Sequence, residues 1–331
     1  MADLAAATTP PTTELEAQLE QLRPALTGYC YRMLGSAFEA EDAVQDTMIR
    51  AWRGFDRFEE RAALRSWLYR IATNVCLTMI ESRKRRARPM DLGPAGEPIV
   101  ENLRTPEQLW IEPMPDGRVV PDSGDPADIV GARESVRLAF VAALQQLPAR
   151  QRAVLILCEV LRWKASEVAE LLETSVASVN SALQRARATL EASDATTSTT
   201  APSVDAADAE LLERYVAAFE AYDMGALTAL IREDATQSMP PYDLWLAGRD
   251  DILGWWIGPG ITCENSRLVP VESANAAPAF GQYRPKLDGD GYEPWALQVL
   301  EVENGRIVEL TFFLDTAAVF PLFGLPARLD A

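Results

Sequence analysis

Residues 39–88 read EAEDAVQDTMIRAWRGFDRFEERAALRSWLYRIATNVCLTMIESRKRRAR, and this stretch decides the fold of the first part of the chain. Val44, Met48 and Trp52 recur at i, i+4 and i+8, so the stretch opens as an amphipathic helix. A second helix is predicted from about Arg61. Two adjacent apolar rows support it: Leu64, Leu68 and Ala72, and Trp67, Ile71 and Val75.

The second half of this stretch combines aromatic rings with cations. Phe58 and Trp67 lie among Arg61, Arg65 and Arg70. A basic run closes the stretch: Arg83, Lys84, Arg85 and Arg86. Unpaired bases bind to aromatic platforms flanked by cations, so the pattern fits a surface for single-stranded nucleic acid. Taken alone, the same residues also fit an aromatic core with a solvated arginine face.

The order of three motifs is more specific than any one of them. ED-VQ-T---AW (residues 41–52), SWLYRIATN (residues 66–74) and the basic run together resemble region 2 of bacterial sigma-70-type factors of the extracytoplasmic-function group. The resemblance implies that the first helix binds the β′ clamp helices of core RNA polymerase, through Asp42, Gln45, Asp46, Arg50 and Trp52. It also implies that the second helix opens the −10 element, through Phe58, Arg61, Arg65, Trp67, Arg70, Asn74, Arg83, Lys84, Arg85 and Arg86. Two positions depart from the family pattern: Thr78 stands where Asp is frequent, and Glu81 where a further basic residue is common.

Composition sets the broad class of the protein. The chain has 331 residues, enough for two or three domains. No run of about 18 apolar residues predicts a membrane span, and MADLAAATTPPTTE lacks the features of a signal peptide. The four cysteines have no CxxC spacing and there is no histidine, so no metal and no cofactor are expected. We therefore expect a cytoplasmic protein, and the resemblance to sigma factors implies a bacterial one.

The net charge of −18 is unevenly distributed. Residues 14–88 and 133–192 each carry net +2, whereas residues 89–132 carry −7 and residues 193–331 carry −14. Neutralised phosphates supply most non-specific affinity for duplex DNA, so the chain should bind DNA poorly by itself. A sigma factor does not need to bind alone, because the polymerase adds its own basic surface.

A helix-turn-helix is predicted from KASEVAELLETSVASVNSALQRARATL, residues 164–190. Ser166 should cap its first helix, and Thr174 or Ser175 its second. Near the start of the second helix, small polar and amide side chains can read base edges while arginines contact phosphates. The candidates are Ser178, Asn180, Ser181, Gln184, Arg185 and Arg187. With the preceding LPARQRAVL, the pattern resembles sigma region 4, which implies binding to the −35 element and the β flap.

The connector between these two regions, residues 89–132, is rich in Pro, Gly and acidic residues and shows no sustained periodicity. Its LWIEP element, residues 109–113, is unusual for a pure tether. Two placements fit: Trp110 docks in the RNA-exit path of the polymerase, where the family's connector runs, or it covers a sigma domain.

The C-terminal third begins with a helix pair joined near Asp223 and ends in a hairpin signalled by Glu303-Asn304-Gly305. Helices followed by strands around a further helix predict an α+β cone. This part resembles a SnoaL-like domain of the NTF2-like superfamily, as carried by sigma factors of the sigma-G and sigma-J types. Such a cone often encloses a pocket, here with Tyr242, Trp245, Trp255, Trp256, Tyr283, Trp295 and Phe313 as candidate lining. Asp223, Asp234 or Asp315 could act there as a general base, although Asp223 also fits a helix cap and Asp315 a strand end.

The predicted fold class is therefore multidomain, with two all-α sigma domains and a C-terminal α+β SnoaL-like cone. The expected order is a disordered N-terminus (1–13), sigma region 2 (14–88), the acidic connector (89–132), sigma region 4 (133–192), a linker (193–207) and a regulatory domain (208–331). The resemblance implies an alternative sigma factor, not an enzyme, that binds core polymerase, recognises −35 and −10 elements and melts DNA. Its C-terminal domain would regulate it through contact with the sigma domains. Two alternatives are a ligand-sensing or SnoaL-class enzyme domain fused to a DNA-binding module, and a helix-turn-helix repressor that acts without polymerase.

Overall fold

The protein is described here by a computed structural model that covers residues 11–55, 64–81, 85–120, 126–192, 206–287 and 289–330. Among these residues, no helix has both the length and the apolar character needed to cross a membrane.

The first unit is a bundle of three helices: α1 (Pro11–Leu34), α2 (Ala37–Gly54) and α3 (Leu64–Glu81). α1 begins inside the segment predicted to be disordered, at Pro11. As predicted, it ends before Gly35, whose φ of +71° suits a residue without a Cβ. Ser36 then caps α2, because its Oγ accepts the Glu39 N–H at 3.1 Å.

The connector makes a short parallel strand pair, β1 (Arg86–Ala87) with β2 (Leu109–Trp110). Trp110 is 9% exposed and the neighbouring Ile111 belongs to the core of the helical domains. Of the two placements that the sequence allows, the LWIEP element therefore takes the second, covering a sigma domain.

Between residues 126 and 192, the described part of the second helical unit forms α4 (Pro126–Glu134), α5 (Leu138–Gln145), α6 (Ala149–Leu155), α7 (Ala165–Leu171) and α8 (Val176–Glu191). A π-helical turn, Ile156–Val160, extends α6. Ser175 caps α8, as predicted. The predicted cap of α7 at Ser166 is wrong. The helix begins earlier, with Lys164 as its N-cap residue, because Glu167 accepts the Lys164 N–H at 2.7 Å.

The C-terminal unit is an α+β domain, which confirms the predicted fold class. Its helices are α9 (Ala206–Glu220), α10 (Met224–Leu230), α11 (Arg249–Ile257) and α12 (Thr316–Leu322). Its strands are β3 (Ile231–Ser238), β4 (Trp245–Ala247), β5 (Arg267–Ala274), β6 (Ala277–Pro285), β7 (Tyr292–Glu303) and β8 (Arg306–Phe313). They form one sheet in the order β4-β3-β8-β7-β6-β5, in which only the β3–β8 pair is parallel. Asn304 and Gly305, both with positive φ, close the β7–β8 hairpin where it was predicted.

The two faces of this sheet belong to different hydrophobic cores. Phe312 points into a core with α9 and α11. Its neighbour Phe313 points to the opposite face, which joins the core of the helical domains. This face is therefore covered partly by the helical units and partly by α12, whose Phe320 packs on Tyr283.

Candidate polymerase and promoter interfaces

The residues predicted to bind polymerase share the outer surface of α2. Asp42, Gln45 and Arg50 are exposed and Trp52 is 45% exposed. Asp46 is half-buried and pairs with Arg50 at 2.8 Å. Trp52 fits the apolar row by its spacing, yet it lies outside the core.

Two further residues of this surface were not among the predicted ones. Phe38 is 37% exposed and Ile49 is 42% exposed. With Asp42, Gln45 and Trp52 they follow the i, i+4, i+7, i+11, i+14 spacing of one helical face. The signal was present in the sequence, because Ile49 is apolar but out of register with the row of Val44 and Met48. We call these seven residues the polymerase face: Phe38, Asp42, Gln45, Asp46, Ile49, Arg50 and Trp52.

The predicted −10 residues divide into several groups. Asn74 and Arg85 are exposed, and Trp67 is half-buried. The guanidinium of Arg65 lies 5.5 Å from the ring centroid of Trp163, in the segment just before α7. Phe58, Arg61, Arg83 and Lys84 lie outside the described residues.

Arg70 also points towards the second helical unit. Its Nη2 donates to the Glu170 carbonyl oxygen in α7 at 3.5 Å. The rings of Tyr69 and Trp163 meet beside it, with centroids 5.2 Å apart. Arg65 and Arg70, two cations predicted to hold the −10 strand, thus contact Trp163 and Glu170 of the second helical unit in this structure, and Arg65 remains exposed.

Arg86 does not fit the exposed DNA contact predicted for it. It is 7% exposed and donates to Glu39 at 2.8 Å, to Glu112 at 3.0 Å and to the Trp110 carbonyl oxygen at 2.7 Å. A buried cation needs such partners, and here they anchor the connector to region 2. The sequence shows four successive basic residues but not that strand β1 turns one of them inward.

All six predicted −35 residues lie exposed on α8: Ser178, Asn180, Ser181, Gln184, Arg185 and Arg187. Ser181 accepts from Arg185 Nη1 at 2.7 Å, and Arg187 pairs with Glu159. The helix thus presents an accessible row of small polar and amide groups, which we call the recognition face.

Buried arginines join the two helical units. Arg32 of α1 is 3% exposed and donates to Ser135 Oγ at 2.7 Å and to the Ala132 carbonyl oxygen at 3.2 Å. In the opposite direction, Arg152 of α6 donates a hydrogen bond to the Met33 carbonyl oxygen of α1. Burial lowers the pKa of each to about 10. Neither guanidinium has a carboxylate partner within the described parts of the chain. The hydrogen bonds at this polar interface therefore offset only part of the cost of burying two charges.

The β5–β6 hairpin inserts into the junction of the helical units. Its turn residue Asn275 is 0% exposed and has φ +56°. Its Oδ1 accepts the Met114 N–H at 2.9 Å, while Nδ2 donates to Tyr31 Oη and to the Val136 carbonyl oxygen, each at 2.6 Å. One amide therefore joins region 2, the connector and the start of region 4.

Two acidic residues extend this junction. Asp116 of the connector accepts from Ser273 Oγ at 2.6 Å and from the Ala276 N–H at 2.8 Å. Glu301 of β7 pairs with Arg137 at 2.5 Å, with both side chains almost fully buried. Burial raises the pKa of Glu301 to about 7, although Arg137 opposes the shift. Burial also raises the pKa of Asp116.

The C-terminal domain encloses a cavity of about 810 Å³. Four of the predicted residues line it: Tyr242, Trp255, Trp256 and Trp295. The other three do not. Trp245 donates to the Gly93 carbonyl oxygen of the connector at 2.9 Å. Tyr283 and Phe313 lie on the opposite face of the sheet, where the ring of Tyr283 packs on Phe320 of α12.

The candidate general bases are placed unfavourably for catalysis. Asp223 caps α10 by accepting the Ala226 N–H at 2.9 Å, as predicted. Asp234 is exposed and paired with Arg232, which lowers its pKa. Asp315 lines the cavity but is exposed.

Comparison with known proteins follows the same division of the chain. Residues 19–86 match the model for Sigma-70 region 2, residues 137–190 that for Sigma-70 region 4, and residues 212–310 that for a SnoaL-like domain. The chain is 45% identical over 320 residues to the ECF RNA polymerase sigma factor SigG of Mycobacterium tuberculosis strain H37Rv, covering 96% of this chain and 85% of the relative. It is 27% identical over 308 residues to SigJ of the same strain, covering 88% and 89%.

The same arrangement of domains occurs in a solved structure. The crystal structure of the Mycobacterium tuberculosis extracytoplasmic function sigma factor SigJ matches with a TM-score of 0.61 at 23% identity, covering 94% of this chain and 99% of that one. This likeness concerns the fold alone. The identity with SigG across nearly the whole length shows that the chain belongs to the extracytoplasmic-function family of RNA polymerase sigma factors, as a member with a C-terminal SnoaL-like domain.

Proposed function

We propose that this alternative sigma factor binds the β′ clamp helices of core RNA polymerase through the polymerase face of α2. In this proposal α3 and its basic run melt the −10 element, α8 reads the −35 element, and region 4 also contacts the β flap. The exposed mixture of apolar and charged groups on α2 supports the first part, since a protein interface needs an apolar anchor with a polar surround. The exposed recognition face supports the last. The protein would act with the polymerase in the bacterial cytoplasm.

We further propose that the described conformation is a closed state, which cannot open a promoter. The observation that carries this proposal is the packing of Arg65 and Arg70 on Trp163 and Glu170. Arg65 stays exposed, but the half-buried Arg70 would have to leave Glu170 to reach an unpaired base, so region 4 must move away first. The polar interface around Arg32 supports this, because water can replace its hydrogen bonds when the units separate.

In this proposal the SnoaL-like domain regulates by stabilising the closed state. Asn275 connects three parts of the sigma module, and the Arg137–Glu301 pair connects region 4 to β7. Polymerase binding would then compete with these internal contacts.

Transcription in vitro tests the assignment. The full chain, added to core polymerase, should start transcription at a limited set of promoters. Asp46→Arg should weaken polymerase binding by about tenfold or more, because it reverses a charge on the polymerase face. Asn74→Ala should leave polymerase binding intact and lower open-complex formation by about tenfold, the usual effect of losing one base contact.

Glu213→Arg is the matched control for the charge reversal, because Glu213 is exposed on α9, far along the chain from α2. It should change neither the affinity for polymerase nor the yield of open complex. Absence of polymerase binding by both the full chain and Asn275→Gly, which removes contacts of the closed state, would refute the sigma assignment. An unchanged affinity of Asp46→Arg would refute the polymerase face.

A further inference from the structure

Another cavity lies where the two helical units meet, and residues of both units form its walls. Its volume of about 380 Å³ falls within the range of roughly 300–1,000 Å³ that is usual for ligand sites. Leu34, Ile80 and Arg85 belong to its region 2 side, and residues 145–149 with Arg152 form its region 4 side. We call it the junction cavity. A ligand in it would touch region 2 and region 4 together.

One lining residue of the junction cavity, Arg152, is a buried cation without an anionic partner. It is 4% exposed. Its two Nη groups donate to the carbonyl oxygens of Met33, Gln145 and Leu147 and to the side-chain oxygen of Gln145. Its Nε–H has no acceptor among the residues that the structure describes. Neutral oxygens leave the positive charge uncompensated, so an anion in the cavity would stabilise it.

Arg85 adds a second positive charge at the same cavity. Its side chain is exposed and has no acidic partner in the described parts of the chain. Burial and then the charge of Arg85 lower the pKa of Arg152 to about 10, so the two guanidinium groups are close enough to repel each other. The other two charges in the wall, Arg86 and Glu39, pair with each other at 2.8 Å. The cavity therefore has a surplus of positive charge, which favours an anionic ligand.

The rest of the wall indicates that this anion has an organic part. Met79 and Ile80 are half-buried and Pro148 is exposed, so apolar surface is left uncovered at the cavity. The half-buried Gln146 also lines it, and its side-chain amide makes no hydrogen bond to any described residue. A bare phosphate ion would neither cover the apolar surface nor fill the volume. A nucleoside phosphate carries an anionic end, a flat base and polar groups for an amide.

We propose that the junction cavity binds a nucleoside diphosphate, with the phosphates at Arg85 and Arg152 and the base against the apolar wall. Two phosphate groups match two guanidinium groups, since phosphate is a strong acceptor for arginine. A second inference rests on the proposed function. The ligand stabilises the closed state, because only that state brings the two walls of the cavity together. Coupling between sites is reciprocal, so polymerase binding weakens nucleotide binding by the same factor.

Isothermal titration calorimetry with ADP tests the site. The buffer contains no magnesium ions, which would neutralise the diphosphate. ADP should bind the full chain saturably at one site. Adenosine should bind about tenfold more weakly or less, because it lacks the charge, and so should inorganic phosphate, because it lacks the base. Arg85→Ala should weaken ADP binding by about tenfold or more, because a hydrogen bond between charged groups is lost. Because Arg85 is exposed, this variant should fold normally.

Arg214→Ala is the matched control, since it removes the same charge from an exposed position on α9, outside the junction cavity. It should leave the ADP titration unchanged. Absence of saturable ADP binding, or an equal loss in the two variants, would overturn the site. Adenosine or inorganic phosphate binding as tightly as ADP would overturn the nucleoside diphosphate as its ligand.

The coupling is tested with core polymerase. Saturating ADP should lower the affinity of the full chain for core polymerase about fivefold or more, and saturating polymerase should lower ADP affinity by the same factor. In Arg85→Ala the same concentration of ADP should have no effect, which excludes an action of ADP on polymerase itself. An unaltered affinity of the full chain, or an equal effect in Arg85→Ala, would overturn the coupling. If neither the full chain nor Asn275→Gly bound polymerase, the proposed function would fall, while the ADP titrations would still decide the site.

Discussion

Replacement of Asn275 tests whether one hairpin turn holds the sigma module closed. We choose Asn275→Gly, because glycine adopts the positive φ of this residue without strain. The change removes three buried hydrogen bonds, to Met114, Tyr31 and Val136, and leaves the turn intact.

The size of the effect follows from these bonds. Each contributes about 1 kcal/mol net, so their loss should disfavour the closed state by about 3 kcal/mol. That corresponds to a shift of about 150-fold in the ratio of open to closed chains. When only the open state binds polymerase, the apparent dissociation constant falls in proportion to the open fraction, until opening is nearly complete. We therefore expect polymerase affinity to rise by between ten- and a hundredfold.

Two measurements check this prediction. Fluorescence energy transfer between dyes on Gln18→Cys in α1 and Glu191→Cys in α8, both exposed positions, reports separation of regions 2 and 4. Titration with core polymerase reports affinity. The matched control is Asn265→Gly, an exposed asparagine that also has positive φ. If Asn275→Gly changed both readings no more than the control, the hairpin would not hold the closed state.

Three further predictions concern charged and polar residues. Burial raises the pKa of Glu301 to about 7, so the closed state is more stable at low pH and loses this stability as the pH rises through 7. Energy transfer should therefore fall between pH 5 and 8, and Glu301→Gln should flatten this change. An unaltered pH profile in that variant would exclude Glu301 as the source. Arg86→Ala should destabilise the fold by about 3 kcal/mol, because it removes a buried cation that contacts both Glu39 and Glu112. Thermal unfolding should show a clearly lower midpoint than for the exposed Arg85→Ala, and equal midpoints would contradict the buried role. Asn180→Ala should reduce transcription most from promoters with a strong −35 element, and an equal loss at promoters without one would argue against base readout.

Local signals in the sequence were sufficient for much of the fold. The Gly35-Ser36 pair ends one helix and caps the next through contacts with nearby residues alone. In the C-terminal domain, Asp223 caps α10 and Asn304-Gly305 forms a hairpin turn in the same local way. Periodicity identified helices such as α2, which buries one face through Ala40, Val44 and Ala51. These features can be predicted without knowing which other parts of the chain pack against them.

Features that depend on tertiary contacts could not be read in the same way. Arg86 is basic in a basic run, and only the pairing of β1 with β2 shows that it points inward. Phe312 and Phe313 are identical neighbouring residues, but side chains alternate along a strand. Phe312 therefore lines the cavity, and Phe313 lies on the opposite face of the sheet. Asn275 has no sequence signature at all beyond a turn, because its three partners come from distant parts of the chain.

The distribution of these contacts fits the proposal that this strongly acidic chain is a DNA-binding factor with a closed state. The acidity lies in the connector and the C-terminal domain. There Glu112 and Glu301 pair with Arg86 and Arg137 of the sigma regions, while Asp116 accepts hydrogen bonds from the β5–β6 hairpin. Each of these carboxylates thus has an internal partner, and promoter DNA offers none of them a substitute. In the proposed closed state, polymerase binding would have to outweigh these contacts, so a change at any one of them would alter the balance between closed and open chains.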